Sequence, residues 1–151
     1  MTIYSIALFL HIVGAVLLFV LLTVEGFTLR QGSTGARFNR IVGPISALLI
    51  LVPGLYLVAS GAGWAGWVAV GIVSWVLIAV MGAITGISVL RGRMSMRAAA
   101  ISWVIRVGMA VGVVFVMTVR PGWLVASIAV IAGALVGLAG SRVAVRQVES
   151  A

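Results

Sequence analysis

Residues 3–28, IYSIALFLHIVGAVLLFVLLTVEGFT, constrain this chain more than any other stretch, because the run is long enough to cross a bilayer yet carries His11 and Glu25. A hydrocarbon core about 30 Å thick needs roughly 20 apolar residues of helix, so the run can span. It holds the only histidine and one of the two acids of the chain. At about 100° per residue, His11 and Glu25 fall within roughly 40° of each other on a face shared with Tyr4, Ala7, Gly14, Ala15, Leu18 and Leu22. That face is small and polar, and is expected to turn inward. MTIYS carries no basic n-region and the apolar run outlasts a usual h-region, so the segment is expected to stay attached as the first span.

The rest of the chain follows the same solvent logic. Of its 151 residues 64% are hydrophobic and 8% charged, with a mean hydropathy of +1.34, a balance that belongs in lipid rather than water. Lipid leaves free backbone groups unsatisfied, so only helices or a closed barrel can span, and the unbroken apolar runs lack the alternation of barrel strands. The sequence therefore predicts an all-α polytopic membrane bundle, a single domain over residues 1–151 with five transmembrane helices near 3–28, 41–60, 67–90, 98–119 and 123–140. Pro44 is expected near the start of the second span, where a missing amide is harmless, and Pro53-Gly54 deep inside it, where a kink is expected. SRVAVRQVESA reads as a short basic tail.

Charge sets the expected orientation. The net charge of +8 comes from ten basic residues, all arginine. Five crossings gather Arg30, Arg37, Arg40, Arg91, Arg93, Arg97, Arg142 and Arg146 on one side and leave Arg120 on the other, which places the amino terminus outside and the carboxyl terminus in the cytoplasm. Tyr4, Tyr56, Trp64, Trp67 and Trp123 then fall at the outer interface, as an aromatic belt requires. The arginines are accounted for by topology and by the anionic headgroups of the cytoplasmic leaflet, not by nucleic acid. In the loop LRQGSTGARFNR, Gly32, Ser33 and Gly35 read as turn formers.

Three polar residues at depth are the candidate site. Arg106 lies about nine residues into the fourth span, where a bare charge costs at least about 2.5 to 3.5 kcal/mol. Either its long stem reaches Glu25 to form a buried ion pair, or it snorkels to headgroups while Glu25 bonds Arg30, Arg37 or water at the rim. His11, near mid-bilayer, can hydrogen-bond to another helix with Ser74 or Thr85 as partner, relay protons, or ligate a metal or haem iron. Its partner on a six-coordinate haem would be Met109 or a group from a second subunit, with Arg106 near a propionate. No metal ligand set is assigned.

The spacings Gly82/Gly86, Gly108/Gly112 and Gly133/Gly137 permit close helix contact but do not specify a dimer. There are no cysteines, hence no thiol chemistry, and no phosphate loop, paired carboxylates, GxSxG or HExxH, so catalytic machinery is not visible. LHIVGAV in the first span, PGLYL in the second and MTVRPG before the last together resemble a group of small bacterial integral membrane proteins of unassigned function. That group is distantly similar to the copper-resistance D and HemJ-type membrane proteins. The resemblance implies a bacterial inner-membrane location and, at His11 alone, a tie to haem or copper. After that histidine the chain has Leu17, Leu18 and Phe19 where those relatives tend to have Trp-x-Gly, and it lacks their further histidines. The expected function is an accessory or small transporter-like membrane component, alone, as a homo-oligomer or in a membrane complex. The alternative is a haem-binding protein using His11.

Overall fold

The computed structural model describes residues 2–31 and 36–149, without the side chains of residues 36, 37, 62, 143, 144 and 146–149. Gly32, Ser33 and Gly35, and the side chains of Arg37 and Arg146, lie outside the described residues. The fold is all-α. Helices α1 (Ile3–Arg30), α2 (Ala36–Leu57), α3 (Gly66–Leu90), α4 (Met96–Val119) and α5 (Trp123–Glu149) follow one another, with a π turn, Val58–Ala62, closing α2. All five are long and apolar enough to cross a membrane. Only 17% to 33% of each span is buried within the chain, so most side chains on every helix are left to lipid, Ile3, Phe9, Ile41, Leu90, Leu124 and Val136 among them. This is a multi-pass membrane protein.

The helix ends follow from local chemistry. Thr2 accepts a hydrogen bond from the Ser5 amide at 3.3 Å and starts α1; Ser95 does the same for the Ala98 amide at 3.2 Å and starts α4. Gly92 (φ 65°) turns the chain between α3 and α4. At the far end of α4, Arg120 takes the left-handed conformation (φ 52°) with its guanidinium carbon 5.5 Å from the centre of the Trp67 ring.

Two element boundaries differ from the sequence expectation. Helix α2 begins at Ala36, so Pro44 stands two turns inside it rather than near its start, and the helix runs on through Pro53. Helix α5 continues to Glu149, through what the sequence reads as a short basic tail, because nothing after Gly140 breaks a helix and its polar residues can leave the bilayer without unwinding.

Close packing concentrates where glycines remove side chains. On α4 and α5, Gly108 and Gly133 face each other's carbonyls, and Gly137 faces the Val104 carbonyl. A β-carbon at Gly112 would lie 2.8 Å from Val130 Cα. On α1 and α2, a β-carbon at Gly14 would lie 2.8 Å from the Ile50 nitrogen, and Ser46 Oγ donates to the Gly14 carbonyl at 3.0 Å. Helix α3 meets α4 through the Thr85 and Ser102 hydroxyls, 2.7 Å apart. Leu22, Ile78, Met109, Ala110, Val116, Ala126 and Val130 form the apolar core among α1, α3, α4 and α5.

The two ends of the bundle are chemically distinct. Tyr4 packs beside Gly61, Trp123 against Gly66, and Arg120 over Trp67, so the aromatic residues share one end. At the opposite end Arg30 closes α1, Arg91 and Arg93 follow α3, Arg40 and Arg97 lie near the starts of α2 and α4, and Arg142 lies late in α5.

Candidate functional site

The polar centre of the bundle is the contact between α1 and α4. Glu25 lies five residues before the end of α1 and Arg106 ten residues after the start of α4, about 7.5 Å and 15 Å along their axes. The long arginine side chain bridges the difference. Arg106 Nη1 donates to Glu25 Oε2 at 2.9 Å, and Nη2 donates to Oε1, a two-to-two geometry that fixes both groups. The side chains are 4% and 10% exposed, so the pair is closed off by neighbouring helices.

Two glycines make that closure geometrically feasible. A β-carbon at Gly82 of α3 would lie 3.1 Å from Arg106 Nη1, so the guanidinium occupies space that any side chain there would contest. Gly26, next to Glu25, carries the Trp103 ring, with a β-carbon there 2.8 Å from Trp103 Cε2. Trp103 Nε1 then donates to the Leu22 carbonyl at 2.7 Å. One turn of α4, Trp103 to Arg106, thus grips one turn of α1, Leu22 to Gly26, by an ion pair, a hydrogen bond and a ring laid on a glycine. Among the described residues, Arg106 Nε is buried without a hydrogen-bond partner.

His11 lies elsewhere on α1. Its Nδ1 is 2.8 Å from the Ile50 carbonyl of α2, and since a carbonyl only accepts, Nδ1 carries the hydrogen. The ring rests on Gly54, where a β-carbon would lie 3.0 Å from Nδ1. The partner is therefore a backbone carbonyl, not Ser74 or Thr85; Thr85 bonds Ser102, and Ser74 is buried on α3.

No match is found among family models, curated proteins or solved structures.

The functional reading therefore rests on the residues themselves. Glu25 and Arg106 are brought together; His11 and Met109 are not. Met109 belongs to the apolar core with Leu22, while His11 turns to the Ile50 carbonyl of α2. Among the described residues no group of three or more His, Cys, Asp or Glu side chains could hold a metal ion. Trp103, Gly26 and Gly82 complete the site without having been singled out in the sequence as parts of it. Gly82 carried a weak signal through its spacing with Gly86; Trp103 carried none.

Proposed function

We propose that this chain is a non-enzymatic component of the bacterial inner membrane, an accessory subunit of a membrane assembly, inserted with its amino terminus outside and its arginine-rich end in the cytoplasm. One observation carries the reading: Glu25 and Arg106, the charges deep within the spans, neutralise each other in a closed contact. A transported ion or polar solute needs charged groups lining a wet path. Here the charged groups join helices instead, which supports an accessory role over a small transporter-like one. The wide lipid-facing surface leaves room for a membrane partner or a second copy.

Native mass spectrometry after extraction in a mild detergent tests this. The expected result is a stable complex with a second polypeptide or a second copy. A monomer that drives solute flux in proteoliposomes would overturn it in favour of transport.

A second reading is favoured by the tautomer of His11. With Nδ1 donating to a backbone carbonyl, Nε2 keeps its lone pair, the arrangement that orients ligating imidazoles. The resemblance of LHIVGAV to the haem- and copper-associated membrane proteins points to the same residue. On this reading Nε2 is an axial haem ligand and the sixth ligand comes from a second subunit. A Soret band lost in His11→Ala supports it, and a colourless preparation from haem-replete cells removes it.

A further inference from the structure

The close contacts of the bundle fall into two sets. One ties α1 to α2: His11 Nδ1 and Ser46 Oγ donate to the carbonyls of Ile50 and Gly14, and Tyr4 lies beside Gly61. The other ties α3, α4 and α5: α4 meets α5 backbone to backbone at Gly108 and Gly133, Met117 lies over Gly71, Trp123 lies against Gly66, and Thr85 bonds Ser102. Among the described residues, the hydrogen bonds that cross between the sets are those of Trp103 and Arg106 to Leu22 and Glu25, all toward the arginine-rich end.

Away from that junction α1 and α4 part. On the aromatic side of Leu21, α1 buries only Ala7 and Gly14, and Gly14 faces Ile50 of α2; Ile3, Ile6, Phe9, Ile12 and Val16 stay exposed. On α4, Val114 lies about three turns beyond Trp103 and returns to within about 20° of the same direction. It is 47% exposed, so the face of α4 that clasps α1 at Trp103 is uncovered at Val114. Lipid gives no drive to shut such a gap, because acyl chains cover apolar side chains as well as another helix does. Helices there are held by close packing and hydrogen bonds.

We propose that the α1–α2 hairpin pivots as one lever against the α3–α4–α5 unit about the Glu25–Arg106 junction, opening and closing a crevice between α1 and α4 toward the aromatic end. Each body is braced within itself by contacts that reach the backbone. The boundary between them is pinned at one end and unpacked at the other, the distribution of contacts that a hinge requires. Gly26 suits the pivot, since a ring resting on bare backbone can turn slightly without meeting a side chain. A membrane partner that fits one setting of the crevice better than the other shifts the balance between them. The lever rests on helix packing alone and stands whether or not the accessory-subunit reading does.

The chain has no cysteine, so nitroxide labels attach only where one is introduced, and double electron–electron resonance in nanodiscs measures the spread of distances between two labels. Pairs are placed at exposed positions: Ile6→Cys with Val119→Cys across the crevice, Phe27→Cys with Arg97→Cys beside the junction, and Ile6→Cys with Leu55→Cys within the hairpin. The crevice pair is expected to give a distribution about twice as broad as either of the others. Glu25→Gln combined with Arg106→Gln removes the pin and is expected to broaden the junction pair. Crevice distances as narrow as those of the junction pair overturn the proposal in favour of one rigid body. A junction or hairpin pair as broad as the crevice pair also overturns it, since the pivot or the lever would then not be rigid. A junction pair left unchanged by the double substitution overturns it too, because the pivot would lie elsewhere. The widths without that substitution decide the matter by themselves if the doubly substituted chain does not fold.

Discussion

His11 and Ile50 are joined where α2 is weakest: the imidazole Nδ1 donates to the Ile50 carbonyl at 2.8 Å, three residues before Pro53. Pro53 has no amide hydrogen to offer the preceding turn, and its ring crowds the carbonyls there. A side chain from α1 enters that turn, over a glycine at position 54 that leaves room for the ring. The histidine thereby ties α1 to α2 at a proline-disturbed turn, while Ser46 ties them again at Gly14.

Replacing His11 by leucine removes that donor while keeping an apolar side chain. Interhelical hydrogen bonds in membranes contribute modestly, so the expected loss is about 0.5–1.5 kcal/mol. Reversible unfolding in mixed micelles measures it. An unchanged midpoint would show that the bond to Ile50 contributes nothing to stability.

The α4–α5 contact admits no side chain at its centre. Gly108→Ala would drive a β-carbon into the Gly133 carbonyl, and overpacking of this kind typically costs about 1–3 kcal/mol. At Gly86 a β-carbon meets nothing within 4 Å, so Gly86→Ala is expected to be neutral or to stabilise α3 by about 0.5–1 kcal/mol. Comparing unfolding midpoints of the two variants separates tight packing from mere glycine content.

Trp103→Phe keeps a ring against Gly26 but deletes the indole donor to Leu22. The expected cost is about 1 kcal/mol, with the ion pair intact. A larger loss, with helicity reduced, would mean that the indole bond holds α1 in place more strongly than the ion pair does.

Orientation follows from the arginine asymmetry. Alkaline phosphatase fused after residue 151 is expected to be inactive, and a cytoplasmic fluorescent reporter at the same point bright. Fusions that report both chain ends on one side would contradict five crossings.

Five spans could be read from the sequence because bilayer thickness imposes a length on every crossing, and the apolar runs meet it with turn signals between them. The start of α2 at Ala36 and the continuation of α5 to Glu149 could not, since a helix leaving lipid meets no abrupt penalty and its polar end turns read as loop or tail. The depth of Arg106 raised two readings, a carboxylate partner or snorkelling. What separates them in the structure is a tertiary feature, the space above Gly82 that lets the guanidinium stay inside. The partner of His11 was hidden for another reason: every residue offers a carbonyl, and only Pro53-Gly54 on the neighbouring span hinted at which one. Spacing alone likewise did not reveal which glycine pairs meet; Gly108 and Gly133 do, whereas Gly86 faces open space.

The account turns on α1 and α4 being held by mutual neutralisation of Glu25 and Arg106, and a double-mutant cycle measures this directly. Glu25→Gln or Arg106→Gln alone leaves one buried charge without its counter-ion and is expected to cost about 3–5 kcal/mol in micelle unfolding. The double variant is expected to cost clearly less than the sum, with a coupling of about 2 kcal/mol or more. Single-variant losses that simply add in the double variant would contradict the pair and the helix junction built on it.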